Sequence, residues 1–333
     1  MKRFIFKSIS ILVLVLTVVS CNEAKRKKAL LPNVSGKAGE VIVVINKADW
    51  EGAAGAEINE LLASDCPFLP QKEPLYTLIN IVPSAFTNIF QVHRNILIVN
   101  IGNSVTEPGV VYRRNVWAKP QCVVSVNAID GASAQMLIEE NGRTILESIE
   151  QAERDRVIEN AIKYEEASLA PVVTEMVGGS PHFPTGYSLK KQTSDFIWIA
   201  YETTYTNQGI FVYKYPATGK NDFKIENIVA KRNEVLKQNV PGMFENTYMT
   251  TSDITTPSLE YMKYKGREFA MSRGYWEVHN DYMGGPYVSQ SFYSRDGKDI
   301  ICIEGFVYAP KYDKRHYLRQ VESLLYSFEW KEN

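Results

Sequence analysis

The sequence is poor in the side chains that usually do chemistry. Four cysteines and four histidines are spread over 333 residues, and no Cys-x-x-Cys or Cys/His spacing points to a metal. Gly-x-Ser-x-Gly, His-Glu-x-x-His, the P-loop and Gly-x-Gly-x-x-Gly are all missing. Their absence removes the common signatures of serine hydrolases, zinc proteases and nucleotide binders, and no cofactor is expected. Basic charge is not in excess either. The chain is formally −1; residues 1–20 hold Lys2, Arg3 and Lys7 without an acid, which leaves −4 for the remainder. Residues 21–37 carry five bases and one acid, so the body beyond them is −8. A mildly acidic body without a basic stripe argues against nucleic acid as a partner. No apolar run reaches the roughly 20 residues of a spanning helix.

What the chain does have is an address. Lys2, Arg3 and Lys7 form a positive n-region, the stretch from Ile9 to Ser20 is apolar, and Cys21 follows at once. This is the layout of an export signal, to be set apart from the fold. Val18 three places before the cut and small Ser20 next to Cys21 resemble a lipobox. A thiol accepts a diacylglyceryl group as a thioether, and cleavage frees an α-amine for a further acyl chain such as palmitate. Each buried methylene adds roughly 0.8 kcal/mol, so two or three chains anchor the protein firmly. Cys21 is therefore the expected lipidation site and the membrane the expected partner. Residues 21–37, with Lys25 to Lys28, Pro32 and Gly36, read as a flexible basic tether. Asn22 is not the Asp that retains many lipoproteins at the inner membrane, and no acidic run follows. The periplasmic face of the outer membrane is the expected location, with the cell surface as the alternative.

Patterning beyond the tether gives an α+β fold with two mixed sheet-and-helix layers joined by a long helical segment. Residues 38–130 form an N-terminal α/β domain. Val41 to Ile45 and Asn95 to Ile101 are continuous apolar runs suited to strands covered on both faces. Ala54, Ile58, Leu61 and Leu62 recur at helical spacing, and residues 84–92 suggest a short helix. Residues 131–178 read as helix, with a stripe through Leu137, Ile145, Ile149 and Ala152, and with Glu153 to Arg156 on a wet face. Pro171 is expected to kink or end it. Residues 179–333 form a C-terminal α+β domain that holds 16 of the 19 tyrosines, a composition that favours strands. Its strands fall near 196–201, 209–215, 258–264, 267–278, 286–294 and 299–308. Its helices are one capped by Asn221 or Asp222 and one closing the chain, and both are expected on a single face of the sheet.

Candidate chemistry is sparse. Ser188-Leu-Lys-Lys191 matches Ser-x-x-Lys, yet in a strand positions three apart face opposite sides. His93 precedes a buried strand and suits a cap or core hydrogen bond; His182 lies between prolines; His316 begins the last helix and should be exposed. Cys302 suits a core position, while Cys66 and Cys122 have the option of pairing in an oxidising compartment. The richest segment is His279-Asn-Asp-Tyr-Met-Gly-Gly-Pro-Tyr287, a hairpin connection between aromatic strands. His279 and Asp281 offer an acid/base pair, and Arg273, Trp276, Tyr282 and Tyr287 offer a charge and rings for a ligand. Turn chemistry explains Asn280, Asp281, Gly284 and Pro286 equally well.

Several strings are distinctive together: Asn33-Val-Ser-Gly-Lys-Ala-Gly-Glu-Val-Ile-Val-Val-Ile45, Trp50-Glu-Gly, Pro83-Ser-Ala-Phe86, His93-Arg-Asn-Ile-Leu97, Arg273-Gly-Tyr-Trp276 and Met283-Gly-Gly-Pro-Tyr287. With them the chain resembles an uncharacterised lipoprotein family of Bacteroidetes, domain of unknown function 4837. The resemblance implies an envelope lipoprotein and assigns no catalytic or binding residue. The expected function is a non-enzymatic binding or scaffolding module with an envelope protein or glycan as partner. The alternatives are a hydrolase of an envelope polymer and a glycan-binding lipoprotein.

Overall fold

The computed structural model describes residues 30–332. The signal segment, Cys21 and the tether up to residue 29 lie outside the described residues. Two sheets and one shared helix organise what is described, and the α+β class holds.

The first sheet has the order β2-β1-β3-β5-β4, formed by β1 (Glu40–Val44), β2 (Thr77–Ile81), β3 (Asn95–Ile101), β4 (Gly109–Arg114) and β5 (Cys122–Ala128). All neighbours are parallel except β4, which runs antiparallel to β5. Both faces are covered, as the unbroken apolar runs require. Val41, Val43, Leu97 and Val124 face α1 (Ala53–Ala63) and α2 (Gly131–Lys163). Ile42, Val44, Ile96 and Val123 face Phe86, Phe90 and Trp117 on the other side. Residues 83–91 form two single turns, Pro83–Ala85 and Asn88–Gln91, in place of the continuous short helix expected there. Gly142 lets α2 approach α1 closely, because a Cβ there would meet Leu61 Cδ1 at 3.2 Å.

At 33 residues, α2 is about 50 Å long and serves two cores. Ala134, Ile138, Ile145, Ile149 and Ala152 pack under the first sheet; Ile158 and Ala161 belong to the core of the second. Asp130 caps its start by accepting from the Ser133 N–H at 2.8 Å. The helical segment is interrupted at Tyr164 and resumes as α3 (Leu169–Val177). Pro171 thus sits in the first turn of a new helix, where its missing N–H costs nothing, and does not end the old one. Gly178, at φ +80°, closes α3 in the left-handed conformation.

The second sheet is antiparallel and has eight strands. Its path runs β10 (Met249–Thr251), β12 (Arg267–Val278), β13 (Gly284–Tyr293), β14 (Asp299–Tyr308), β9 (Asn207–Pro216), β8 (Phe196–Glu202) and β7 (Ser188–Gln192). The eighth, β11 (Ser258–Tyr264), also pairs with β12. A short ribbon of β6 (Gly179–Ser180) with β15 (Glu329–Trp330) ties the chain's end back to the domain boundary. Helices cover both faces of this sheet, not one. Leu236 of α4 (Ile225–Asn239) packs with Phe196, Phe211, Trp276 and Phe306. Leu318, Val321 and Leu325 of α5 (Arg315–Tyr326) pack with Ile199, Ile303 and Val288. Period-2 alternation explains the split, since neighbours such as Ile303 and Glu304 look in opposite directions. The expected cap of α4 by Asn221 or Asp222 is not made; Asp222 instead accepts from Thr218 and Gly219 in the preceding turn. Among the described residues no helix is long and apolar enough to cross a membrane.

Beneath α4 lies a buried ion pair. Arg232 donates through Nε and Nη2 to both oxygens of Glu304 at 2.8 and 2.7 Å, and its Nη1 donates to Thr251. The guanidinium also stacks over Tyr287 at 4.0 Å from the ring centroid. Two desolvated charges are costly alone and tolerable together. Glu304→Gln should therefore lower unfolding stability by about 3–5 kcal/mol. The paired Arg232→Met, Glu304→Leu protein should lose less. Urea denaturation of both variants checks this, and a smaller loss in the single variant than in the pair contradicts it.

Candidate functional site

A cavity of about 420 Å³ opens where the two domains meet. The first domain gives Ala38 and Arg94, α2 gives Glu153, Arg156, Val157 and Asn160, and α5 gives His316, Arg319, Gln320 and Leu324. Tyr187, Tyr201 and Gln208 close it from the second sheet and the loop before it. Domain junctions are a preferred place for ligand sites.

Sequence spacing builds its walls. On α5, positions 316, 319, 320 and 324 fall on one stripe, and on α2 so do 153, 156, 157 and 160. Glu153 is buried, its side chain 1% exposed, and accepts from Arg94 Nη2 at 2.8 Å, Arg156 Nη1 at 2.8 Å and Asn95 Nδ2 at 2.6 Å. The expectation of a wet face at Glu153 to Arg156 is thus corrected. Spacing from Ile149 places Glu153 and Arg156 four and seven residues on, along the same stripe that buries Ile145 and Ile149. That register was the available signal, outweighed by the charge of the run. Arg156 spends its donors on Pro120 O, Glu153, Arg94 O and Asn95 Oδ1. Arg319 donates to Leu75 O at 3.0 Å and lies over Tyr76. His316 stands exposed at the rim. The protein packed around its ring, then the repulsion of Arg319, holds it below the ordinary histidine value, with Arg94 and Arg315 adding to the effect and Glu153 opposing it.

The first domain holds the start of α5 in place. Glu73, buried in the segment before β2, accepts from the backbone N–H groups of Lys314 at 2.7 Å and Arg315 at 2.9 Å. A carboxylate at a helix N-terminus satisfies orphan donors and meets the positive end of the helix dipole. Lys314 Nζ reaches Gln71, and Arg315 reaches the Pro74 carbonyl.

A second, more open cleft of about 640 Å³ lies beside α3 and the β6–β15 ribbon. His182, whose partners the sequence does not reveal, sits there with Nδ1 2.7 Å from Glu165 and Nε2 3.7 Å from Glu329.

The candidate residues of the 273–287 segment are not brought together. Arg273 forms a two-pronged pair with Glu322 of α5 at 2.9 and 2.6 Å. Trp276, on the opposite face of β12, is buried and donates to Val307 O at 3.2 Å. Tyr287 is buried beneath Arg232. His279 stacks on Tyr248 with ring centroids 4.9 Å apart, and Asp281 accepts from the Tyr282 N–H at 2.6 Å inside the turn. Tyr282 is fully exposed, at 105%. Burial of Trp276 and Tyr287 removes them from any surface platform of rings. Ser188 to Lys191 lie on strand β7. Cys66, Cys122 and Cys302 are free thiols, so the optional Cys66–Cys122 pairing is not formed. Burial pushes Cys66 up to about 11 and Cys302 up to about 12, and raises Cys122 as well, which disfavours the reactive thiolate. His93 is buried, with Nδ1 3.1 Å from Asn95 O. Among the described residues no group of three His, Cys, Asp or Glu side chains is placed to hold a metal ion.

Removing the Glu73 carboxylate should loosen the helix end that carries His316. Glu73→Ala is expected to cost about 1–2 kcal/mol, the range for a lost helix cap. It should also speed amide exchange at Lys314 to Leu318; exchange as slow as in the parent would show that the cap does not hold this turn.

Comparison with solved structures returns distant partial likenesses. A crystal structure from Bacteroides thetaiotaomicron VPI-5482 is 9% identical over 46% of this chain, with a TM-score of 0.22, and the chain spans only 46% of that structure's length. Human STARD10 is 7% identical over 46% of this chain and 76% of its own, with a TM-score of 0.25. The human StarD13 (DLC2) lipid transfer and protein localization domain is 13% identical over 43% and 89%, with a TM-score of 0.21. No curated protein matches. Family models cover the chain in two consecutive pieces: residues 34–161 match Domain of unknown function (DUF8532), and residues 166–327 match Domain of unknown function (DUF4837). They meet at the break between α2 and α3, inside the stretch that patterning alone sets apart as a separate helical unit. The C-terminal region of the chain, residues 166–327, is thus similar to the DUF4837 family, a domain of unknown function.

Proposed function

We propose that the chain is a lipid-anchored, non-enzymatic binding protein of the bacterial cell envelope, and that its ligand occupies the cavity between the two domains. The carrying observation is that cavity itself. It is roomy enough for a small molecule, built from both domains, and walled by side chains held in fixed geometry by the Glu153 and Glu73 networks. The binding reading is further supported by the thiols of Cys66 and Cys302, which burial pushes away from the reactive thiolate, and by the different partners taken by Arg273, His279 and Asp281. The anchor rests on the sequence: the positive start, the apolar run and Cys21. The periplasmic face of the outer membrane remains the proposed location, and an envelope glycan or protein a proposed source of ligand.

Two measurements test the reading. The native protein should sediment with membranes and carry acyl chains at Cys21 by mass spectrometry, while Cys21→Ser should be released without detergent. A small-molecule extract of the envelope should raise the melting temperature of the protein by mass action. Asn160→Trp, at an exposed position on the cavity wall, should abolish that rise by filling the space. Equal shifts in both proteins would place binding elsewhere.

A further inference from the structure

We infer that the cavity holds its ligand by one anionic group, a carboxylate or a phosphate, between Arg319 and Arg94, with the ligand's organic body lying along Tyr187, Tyr201 and Leu324. The inference rests on the binding reading above and names the chemistry that the site answers.

Charge balance is the first argument. Three guanidiniums, Arg94, Arg156 and Arg319, line the cavity against the single carboxylate of Glu153. Arg156 is used up by protein acceptors, and Glu153 is shared between Arg156 and Arg94. Arg94 Nε has no partner. Arg319 meets a carbonyl and the Tyr76 ring; Glu153 and Glu150 act on it electrostatically, but no carboxylate among the described residues forms a direct ion pair with it. A surplus of positive charge therefore faces the cavity from two different elements. Guanidinium groups match the two-oxygen edge of carboxylate and phosphate better than any neutral ligand group.

Geometry supplies the second argument. His316, Arg319, Gln320 and Leu324 follow one another down a single face of α5, and eight residues of helix span about 12 Å. Polarity changes along that line. The cations stand near the start of the helix, whereas Leu324 belongs to the hydrophobic core. Tyr187 and Tyr201 lie with ring centroids 5.9 Å apart. A ligand that fits both ends has a charged head and a less polar body. His316 faces Arg319 and Arg315 on its own helix, Arg94 from the first domain and Glu153 from α2. An anion arriving there relieves the repulsion on the ring. Binding then takes up protons and tightens as the pH falls toward the ordinary histidine value.

The test uses two probes of matched size and shape, the anionic 3-phenylpropionate and the neutral 3-phenylpropanamide, with inorganic phosphate as competitor. They are titrated into the whole chain carrying Cys21→Ser, with calorimetry and the His316 ring resonances as readouts. The carboxylate should bind at least tenfold more tightly than the amide, shift the His316 resonances and be displaced by phosphate. Arg319→Gln should erase the preference. Arg319 also bonds Leu75, so Gln320→Glu serves as the second variant. Gln320 lines the cavity, is half-buried and makes no hydrogen bond among the described residues, so the added carboxylate should cost the acid at least tenfold more affinity than it costs the amide. Equal affinity for acid and amide overturns the inference while the cavity stands as a binding site. No binding of acid, amide or phosphate at millimolar concentration also overturns it. Protection by the envelope extract that Asn160→Trp abolishes then separates this failure from that of the binding reading.

Discussion

The arrangement of this protein depends on one buried carboxylate. Glu153 sits where α2 leaves the core of the first sheet and enters the core of the second. A continuous apolar stripe at that point would let the helix slide or rotate between two equally greasy surfaces. Two guanidiniums and an amide converging on one carboxylate admit a single register instead, because an unpaired buried charge costs several kcal/mol. Arg94 and Asn95 come from the start of β3, so the same network fixes the first sheet against the helix. The orientation of the second domain follows from that lock through α2, and the cavity follows from the orientation.

Much of the strand pattern was legible from residues alone. The ranges 258–264 and 267–278 coincide with β11 and β12, since aromatic and branched residues alternate there between clear turn signals. Covered strands in the first domain announced themselves as unbroken apolar runs. Legibility ended wherever a side chain's surroundings came from a distant element. Glu73 caps a helix 241 residues further on, and nothing near it in sequence hints at that. Glu304 sits in a strand of isoleucines and reads as an intrusion until Arg232 arrives from another helix. The second helical layer is hidden in the sequence because Ser289, Ser291 and Glu304 make one face of the sheet look polar, although they are buried.

The cavity shows the same limit from the functional side. Its walls draw on residues as far apart as Ala38 and Leu324, each of which has an ordinary local reading. Arg94 reads as a residue before a strand, Arg319 as a helix surface position and Tyr201 as a strand end. The 279–287 turn stands out in the sequence because chemistry-bearing residues crowd together there. Crowding in sequence across a hairpin sends side chains to opposite faces, as Arg273 and Trp276 demonstrate. Sites at domain junctions are assembled by the reverse rule, from few residues on each of many elements.

The two domains are also joined differently from the way each is held together. Inside the second domain, the Arg232–Glu304 and Arg273–Glu322 pairs and an aromatic core fix the sheet on both faces. Across the seam, apolar contact is narrow: Leu69 and Cys66 reach the second core, and Tyr275 donates to Leu69 O. Other bonds run from Lys314, just before α5, and from Arg315 and Arg319 on it, to carbonyls and side-chain oxygens of residues 71–77. Such bonds are directional, so the seam holds only while geometry is kept, and bonds of this kind exchange with water at a modest net cost. A ligand that bridges Arg94 on one domain and Arg319 on the other would act across this seam. On the proposed reading, occupancy of the cavity and rigidity of the seam would be coupled, because a ligand held by both guanidiniums would also set the separation of the domains that carry them.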